Sequence, residues 1–380
     1  MRILYCIPSL KNSGGTERIL TEKVNFLSEN CHYEIFIVTT EMTGVKPFFK
    51  LNKNIKVIEL DINFNTYFDA PILKKIYHTK RKLKVYQTNL KKCIVDNNID
   101  VCVSTGAKEL EFLFKFNNIC KTICELHFFK SFRKDFISTR TNNIIYNIIG
   151  NYRTKQLIQQ TKKINKLIVL TKADEKEWKK TNQNVIQIYN FTSFEGAEAS
   201  KLQNKKVIAV GRLEPEKGFD MLIEAWNYTA KFNEGWELNI FGSGSCENEL
   251  LKKIDNLGIK NINLRGNSKN LKEHYLDSSF FVLSSRYEGF ALALLEAMSC
   301  GLPVISFDCL VGPREILGNS ESCILVNNGD VEDLGKAILE YMTNPSLLLK
   351  KSLSSKSEVE KYSKKNIMKQ WIDLFQTLKT

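Results

Sequence analysis

Two glutamates, Glu288 and Glu296, have side chains that are suited to binding a polar ligand. Seven residues lie between them, and Gly289, Phe290 and Ala291 directly follow the first glutamate. Carboxylate oxygens accept hydrogen bonds from paired hydroxyl groups, such as those of a sugar or a ribose. A glutamate among Leu and Ala side chains costs free energy unless it has a partner. A purely structural role is therefore an equally open interpretation of this spacing.

The sequence around these glutamates predicts a strand, a glycine turn, a helix and a second strand. The apolar runs 280–283 and 304–307 are typical of buried strands, and the Ala- and Leu-rich stretch 290–299 predicts a helix. We therefore expect Glu288 and the Gly289 backbone at the carboxyl end of a parallel sheet, where ligands of such sheets bind. The positive end of the helix dipole suits a phosphate group or sugar oxygens at that place.

A second turn between a predicted strand and a predicted helix carries two basic residues. Gly211, Arg212 and Lys217 follow an apolar run and precede the next apolar-periodic segment. An arginine suits a bidentate contact with a phosphate, and a lysine supplies a point charge. On charge alone, two exposed basic residues would be unremarkable.

Three further turns follow predicted strands. Gly14 and Gly15 permit a ligand to approach the backbone at a helix N-terminus, but the turn lacks a Walker lysine, and its pattern alone favours a plain tight turn. His127 ends a predicted strand, although a lone histidine is more often structural than functional. Gly266 and Asn267 end another strand and lead into a predicted helix.

Residues 286–308, with the pattern E-G-F-x-L-x-x-L-E-A-M-x-C-G-x-P-V-I-S, resemble the signature of the family 4 retaining glycosyltransferases of the GT-B fold. In that family the first glutamate, here Glu288, contacts hydroxyls of the donor sugar. The second, here Glu296, holds the ribose hydroxyls of the nucleotide. The segment Gly-Arg-Leu-x-x-x-Lys-Gly is also similar, and it implies that Arg212 and Lys217 hold the donor diphosphate.

The resemblance also implies roles for the other turns. The turn at Gly14 and Gly15 would lie against the donor diphosphate and the acceptor, and the loop after Gly266 would line the base mostly through backbone atoms. His127 would touch the donor sugar and assist transfer. The expected catalytic residues are His127, Glu288, Arg212 and Lys217. The expected donor-binding residues are Gly14, Gly15, Gly211, Arg212, Lys217, Gly266, Asn267, Glu288, Gly289, Phe290, Ala291 and Glu296.

Strands alternate with helices in both halves of the chain, which predicts an α/β protein with two doubly wound parallel-sheet, Rossmann-like domains. The resemblance implies that these domains face a cleft and that the C-terminal helix crosses back to the N-terminal domain. We expect residues 1–190 and 363–380 to form an acceptor-side domain and residues 205–362 to bind the nucleotide sugar. Small and polar residues make 191–204 a predicted linker.

The 380-residue chain has a net charge of +13, and this charge is unevenly distributed. Residues 1–190 hold 32 Lys and Arg against 17 Asp and Glu, whereas the remainder holds 23 against 25. A basic half points to a polyanionic partner: a nucleic acid, an anionic membrane or a phosphorylated acceptor. No zinc-finger spacing or RNA-binding signature is present, so we expect no nucleic-acid partner.

One basic segment without any acidic residue, 71–95, is a candidate for contact with a membrane surface. Near an anionic membrane each basic residue contributes about 1 kcal/mol of binding free energy. Four phenylalanines that lie among basic residues suit either a lipid interface or a core helix: Phe128, Phe129, Phe132 and Phe136. A solvated helix face is an equally open interpretation of the segment. The basic residues concerned are Lys74, Lys75, Lys80, Arg81, Lys82 and Lys84.

Cysteine usage predicts a cytoplasmic protein, and a basic, aromatic N-terminal domain without a membrane span suggests that it is peripheral on the inner face of the membrane. The ten cysteines are scattered without a Cys-x-x-Cys pair, which is typical of free thiols in a reducing compartment. No apolar run reaches the length of a membrane span, and residues 1–10 predict a strand and a loop rather than a signal peptide. No Asp-x-Asp occurs, so we expect neither a bound metal nor another cofactor.

These features and the resemblance together predict a retaining glycosyltransferase. Its expected donor is a nucleotide-diphospho-sugar, either a UDP-hexose or a UDP-N-acetylhexosamine, although no residue excludes a GDP-sugar. The expected acceptor is a lipid-linked glycan or polysaccharide in the synthesis of bacterial surface polysaccharide or lipopolysaccharide. Alternatives are a sugar-nucleotide 2-epimerase or a phosphorylase of the same fold. Alternatives of a different class are a basic protein that binds nucleic acid or another polyanion, and a non-catalytic sugar-binding scaffold.

Overall fold

The computed structural model of the chain describes residues 1–67, 71–130, 144–232, 234–318 and 320–379. The chain divides into two compact units: unit 1 comprises Met1–Tyr189 and Met368–Thr380, and unit 2 comprises Asn190–Ile367. Each unit has its own hydrophobic core and its own parallel sheet, which confirms the predicted α/β fold of two Rossmann-like domains. Of the four phenylalanines considered for a lipid interface, Phe129 is buried and Phe128 packs against the core of unit 1. Phe132 and Phe136 fall outside the described residues.

Unit 1 is built on a parallel sheet whose strands have the order β3-β2-β1-β4-β5-β6-β7 among the described residues. The chain first adds strands on one side of β1 and then continues from β4 on the other side. The point between β1 and β4 is therefore where ligands of such sheets usually bind. The strands are β1 Arg2–Cys6, β2 Glu34–Thr39, β3 Lys56–Glu59, β4 Val101–Ser104, β5 Lys121–Glu125, β6 Lys166–Val169 and β7 Val185–Gln187. The helices are α1 Gly15–Asn30, α2 Ile72–Asp96, α3 Ile144–Thr161 and α4 Lys172–Lys179.

The sheet of unit 1 has two buried faces with different contents. One face carries apolar side chains such as Leu4 and Val38, which share a core with residues of α2. The other face carries Tyr5, which directly follows Leu4 in β1. Tyr5 pairs in register with Val103 of β4, and Val103 pairs with Ile123 of β5, so all three lie on this face. Successive side chains of a strand point to opposite faces, so the residue two positions after Ile123, which is a glutamate, lies on the same face as Tyr5. A carboxylate is thus placed on a face that helices cover.

Unit 2 contains a second parallel sheet, of order β10-β9-β8-β11-β13-β15 among the described residues, and a separate pair of short strands, β12 and β14. Its core includes Trp226, Phe280 and Tyr341. The strands are β8 Lys206–Val210, β9 Glu237–Phe241, β10 Ile262–Gly266, β11 Phe280–Leu283, β12 Tyr287–Glu288, β13 Val304–Asp308, β14 Leu310–Val311 and β15 Cys323–Asn327. The helices are α5 Phe219–Tyr228, α6 Glu247–Asn256, α7 Leu271–Leu276, α8 Leu292–Ser299, α9 Gly312–Leu317, α10 Val331–Thr343 and α11 Pro345–Val359. A last helix, α12 Lys364–Lys379, belongs to unit 1 from Met368 onwards.

The segment after β4 forms two short 3-10 helices, Lys108–Glu111 and Leu113–Phe116, rather than one α-helix. Phe112 between them has φ of −134° and ψ of −3°, which interrupts the helix and lets Phe112 and Leu113 both be buried. The predicted linker 191–204 is part of unit 2, where Phe191 is fully buried.

Helix α2 has a polar, basic surface with exposed apolar side chains. Leu73 is 80% exposed and Tyr77 is 63% exposed, whereas Tyr86 and Leu90 of the same helix are buried in the core. Lys82 differs from the other basic residues, because it is half-buried and donates to the carbonyl oxygen of Asn63. In the part of the chain that the structure describes, neither α2 nor any other helix has the length and hydropathy of a membrane-spanning segment.

Candidate functional site

The turn after β8 is shaped by close backbone contacts that only glycine allows. The Gly211 amide donates to the carbonyl oxygen of Phe241 over 3.0 Å. A Cβ atom at Gly242, whose φ is +142°, would lie only 1.8 Å from the Gly211 oxygen. The aliphatic chain of Lys217 passes over Gly211, since a Cβ atom there would lie 3.2 Å from Lys217 Cδ. The turn thus directs the Lys217 side chain back over the end of β8.

A second turn, after β11, packs directly against the first. A Cβ atom at Gly218, whose φ is +62°, would lie 2.1 Å from the carbonyl oxygen of Ser284. The Ser284 hydroxyl in turn donates to the carbonyl oxygen of Lys217 over 3.0 Å. The two turns are therefore in backbone contact, although they are far apart in the sequence.

Lys217 and Glu288 meet where the two turns join. Lys217 Nζ donates to Glu288 Oε1 over 2.6 Å, and the side chains are 20% and 9% exposed. The Ser285 hydroxyl donates to the same oxygen over 2.7 Å. Glu288 lies in the short strand β12. Gly312 leaves room for it, because a Cβ atom at Gly312 would lie 3.0 Å from Glu288 Cβ. Burial, reinforced by the Glu288 charge, raises the pKa of the nearby Cys309 thiol, which therefore stays neutral.

Arg212 presents its charge to solvent beside this pair. Its guanidinium donates from Nη2 to Glu216 Oε1 over 2.6 Å; the arginine side chain is 66% exposed and the glutamate side chain is 8% exposed. A guanidinium has five N–H donors, so one contact with a buried carboxylate orients the group without exhausting it. Arg212 is thus available to an anion at the surface of this turn.

Glu296 is buried in α8 and accepts a hydrogen bond from a neighbouring side chain. A carboxylate among apolar residues needs such a partner. Glu296 is 5% exposed, and the hydroxyl of the fully buried Tyr275 donates to its Oε2 over 3.2 Å. Ala291 is the N-cap of α8, so Gly289 and Phe290 directly precede the start of this helix. The helix start, Glu288 and Glu296 therefore belong to one continuous segment, as the spacing predicted.

The strand β10 ends at the carboxyl end of the sheet of unit 2, next to the turn that follows β9. The Gly242 amide donates to the carbonyl oxygen of Gly266 over 2.9 Å, and Asn267 Nδ2 donates to the Ser243 hydroxyl over 2.9 Å. The His274 ring stacks on Phe241 with their centroids 4.4 Å apart. Gly266 and Asn267 thus lie next to the turn that follows β9, in the position expected for residues at a strand end.

One positioning contact was not predicted. Arg286 donates to both carboxylate oxygens of Asp220, over 2.8 and 2.6 Å, and also to the Pro215 carbonyl oxygen over 2.6 Å. The Arg286 amide donates to the carbonyl oxygen of Glu216 over 2.8 Å. Asp220 is in the first turn of α5, so Arg286 ties the Lys217 turn to the Glu288 turn. The sequence shows both residues beside the motifs, but no periodicity pairs them.

The candidate residues of unit 1 lie at the ends of β1 and β5. Gly14 is the N-cap of α1, which starts at Gly15, and a Cβ atom at Gly14 would lie 2.4 Å from the Glu17 carboxylate. His127 follows β5; its side chain is 11% exposed, and burial lowers its pKa. A cavity of about 260 Å³ lies near the ends of β1 and β4, lined by Ile7, Pro8, Ser9, Asn12, Thr16, Glu17, Thr105, Gly106 and Ala107.

Comparison with known proteins shows what this fold and site are similar to. Residues 190–358 match the model of the family described as glycosyl transferases group 1. The chain is 27% identical to an uncharacterized glycosyltransferase of Haemophilus influenzae. This match extends over 377 residues, which are 97% of this chain and 98% of the relative. The chain is 26% identical to the poly(ribitol-phosphate) alpha-N-acetylglucosaminyltransferase of Staphylococcus aureus, over 90% of this chain and 76% of the relative. The crystal structure of a TarM mutant of S. aureus, in complex with Fondaparinux, alpha-GlcNAc-glycerol and UDP, has a TM-score of 0.79 at 18% identity and covers 98% of this chain and 99% of that chain.

Proposed function

We propose that the protein is a retaining, metal-independent glycosyltransferase. The match of residues 190–358 to the group 1 glycosyl transferase model and the similarity to a solved structure over 98% of the chain support this proposal. The enzyme's donor is a UDP-hexose or a UDP-N-acetylhexosamine. Its acceptor is a lipid-linked glycan or polysaccharide of the cell surface, and the protein works in the cytoplasm. The poly(ribitol-phosphate) named for one relative and the UDP named for one structural neighbour support these choices.

The observation that carries the proposal is the 2.6 Å contact between Lys217 and Glu288. The family resemblance gives Lys217 the donor diphosphate and Glu288 the donor sugar. In a nucleotide sugar these two groups are bonded directly to each other, so the residues that bind them must be neighbours. The two residues are 71 positions apart in the sequence, and the packing of the two turns accounts for their proximity.

Each residue of the site has a step in the proposed reaction. Arg212 and Lys217 neutralise the leaving diphosphate, and Lys217 exchanges its contact with Glu288 for a phosphate oxygen. Glu288 then accepts hydrogen bonds from hydroxyls of the sugar, and Glu296 accepts them from the ribose while Tyr275 holds its other side. The acceptor hydroxyl attacks from the leaving-group face, and a diphosphate oxygen takes its proton. No residue acts as a nucleophile, and His127 assists by orienting the sugar.

The remaining donor residues supply backbone contacts. Gly211 lets the Lys217 side chain pass over the end of β8 toward the diphosphate. The segment Gly289, Phe290 and Ala291, directly before α8, presents amide groups to the diphosphate and the sugar. Gly266 and Asn267 line the base. Gly14 and Gly15, at the start of α1 in unit 1, complete the diphosphate and acceptor contacts. Preorganised donors of this kind each contribute on the order of 10²–10³ in rate.

Isotope-labelled sugar distinguishes this proposal from its alternatives. We expect label from UDP-glucose or UDP-N-acetylglucosamine to move to poly(ribitol-phosphate) or to lipopolysaccharide, with the anomeric configuration retained and without added Mg²⁺. Label that stays on the nucleotide in an epimerised sugar would identify a 2-epimerase instead. Consumption of neither UDP-sugar nor GDP-mannose would contradict the assignment of a transferase.

Arg286→Lys should lower the rate of sugar transfer about tenfold to hundredfold. A lysine cannot reproduce the three guanidinium contacts with Asp220 and Pro215. The Lys217 turn should therefore shift relative to Glu288, and small misplacements of catalytic groups have large effects on rate. The matched control is Arg2→Lys, because Arg2 forms a half-exposed ion pair with Glu34 in unit 1. Equal rates for wild type and Arg286→Lys would show that this contact does not position the site.

The basic surface of unit 1 suits an anionic acceptor or an anionic membrane that carries the acceptor. Exposed Lys74, Lys80 and Lys84 lie on α2 with exposed Leu73 and Tyr77. Basic residues gain binding free energy from anionic headgroups, and apolar side chains gain it from the acyl boundary. We therefore assign α2, including Lys75 and Arg81, as the membrane-facing surface of a peripheral enzyme.

Vesicle co-sedimentation tests this surface. We expect the protein to sediment at low salt with phosphatidylglycerol vesicles and not with phosphatidylcholine vesicles. Changing Lys74, Lys80 and Lys84 to glutamate should abolish sedimentation. The same change at exposed Lys201, Lys260 and Lys350 of unit 2 is the control for net charge. Equal loss of binding in both triple variants would contradict a specific surface on α2.

A further inference from the structure

A buried ion pair in unit 1 has no role in the reaction described above. Lys23 of α1 donates from Nζ to Oε1 of Glu125, the last residue of β5, over 2.5 Å, and each side chain is only 1% exposed. The Trp371 ring of α12 has its centroid 3.7 Å from the Lys23 nitrogen. The cluster thus brings α1, β5 and α12 together around one positive and one negative charge.

His127 extends this cluster beyond the end of β5. Its Nε2 atom lies 3.5 Å from the Glu125 oxygen that Lys23 also contacts. Among the described residues, neither His127 Nε2 nor Glu125 Oε2 has a hydrogen-bond partner, although both atoms are buried. Buried polar side-chain atoms are nearly always hydrogen-bonded. The imidazole and the carboxylate therefore have hydrogen-bonding capacity that no described residue uses.

Packing stability alone does not account for the charges. Replacing a buried ion pair by apolar residues of similar volume often costs no stability, so apolar side chains in place of Lys23 and Glu125 would join these elements as well. They would not place an anion beside an imidazole. Burial lowers the pKa of both Lys23 and His127, and in each case the charge of Glu125 opposes that effect. Glu125 is thus the group that the lysine and the histidine share.

We propose that Lys23 and Glu125 are positioning residues for His127 during sugar transfer. Glu125 accepts a hydrogen bond from Nε2–H of His127 once the 3.5 Å contact shortens in the substrate complex; catalytic hydrogen bonds are often long in free enzymes. This bond fixes the orientation of the ring and leaves Nδ1 as its unprotonated nitrogen. Lys23, held against Trp371, keeps the Glu125 carboxylate in place. The inference rests on the proposed function, which assigns His127 to the transfer step.

The test uses the double variant Lys23→Met/Glu125→Gln, which removes both charges and keeps the approximate volume of each side chain. We expect its kcat for sugar transfer from the UDP-sugar to fall at least tenfold, with the Kd for UDP within twofold of wild type. The variant His127→Ala should show a similar loss. In the His127→Ala background the double change should cause no further loss, because residues that act through one another are not additive. Thermal unfolding confirms that each variant is folded.

The possible results separate the inference from the proposed function. Wild-type kcat in the double variant, or losses that multiply with that of His127→Ala, would overturn the positioning role. Wild-type kcat in His127→Ala would overturn the role of His127, and with it this inference, while the transferase assignment would stand. A wild-type protein that transfers no sugar would overturn the proposed function itself. Transfer that is retained in Lys23→Arg but lost in Lys23→Met, with Glu125 intact in both, would support the need for the charge.

Discussion

Replacing Lys217 by methionine should lower the rate of sugar transfer by about 10²–10³-fold, because it removes a preorganised positive charge from the leaving diphosphate. Methionine retains most of the aliphatic chain that passes over Gly211, so the turn should keep its shape. Glu288 would keep its contact with the Ser285 hydroxyl. The measurement is the steady-state rate with a labelled UDP-sugar, together with thermal unfolding of the variant.

The matched control for this change is Lys253→Met in the same unit. Lys253 forms an ion pair with Glu224, and both side chains are substantially exposed. Exposed ion pairs contribute about 0–1 kcal/mol to stability, and this one is not part of the site, so transfer should continue at the wild-type rate. Full activity in folded Lys217→Met would contradict the assigned diphosphate site.

Lys23→Met should lower the free energy of unfolding of unit 1 by about 3–5 kcal/mol, because it leaves the Glu125 carboxylate buried without its partner. The two side chains are each 1% exposed, so solvent cannot replace the lost ammonium. Adding Glu125→Gln should restore most of the lost stability, since it removes the uncompensated charge. Thermal and denaturant unfolding of the three proteins measure the effect.

The exposed pair of Lys179 and Glu175, on α4 of the same unit, supplies the control. Lys179→Met should change the unfolding free energy by less than about 1 kcal/mol. If Lys23→Met were as stable as Lys179→Met, or if the double variant were less stable than Lys23→Met alone, the buried pair would not be a charge-compensated unit. Either result would also remove the physical basis for the positioning of His127.

The fold was predictable from the sequence to the extent that it depends on local patterns. Short apolar runs such as 280–283 and 304–307 became strands β11 and β13, because buried parallel strands require continuous apolar residues. The helix between them also formed, from Leu292 to Ser299. The composition of 191–204 predicts a linker, but small residues also suit close packing. The structure places this segment in unit 2, where Phe191 is fully buried.

The site was predictable in its residues but not in its contacts. Motif resemblance identified Lys217 and Glu288 separately, and it could not show that one would donate to the other. The clamp of Arg286 and Asp220 and the pair of Lys23 and Glu125 join residues 66 and 102 positions apart. Such pairs depend on how turns and helices pack in space, and neither a period of 2 nor one of 3.6 residues encodes them.

Calorimetric titration with UDP tests the central claim of a nucleotide-diphosphate site in unit 2 most directly. We predict that UDP binds without Mg²⁺ and that Lys217→Met and Glu296→Ala weaken this binding at least tenfold while Lys253→Met does not. Tighter binding of GDP than of UDP would keep the site and change the donor to a GDP-sugar. Absence of binding by both UDP and GDP to the folded wild-type protein would contradict the account.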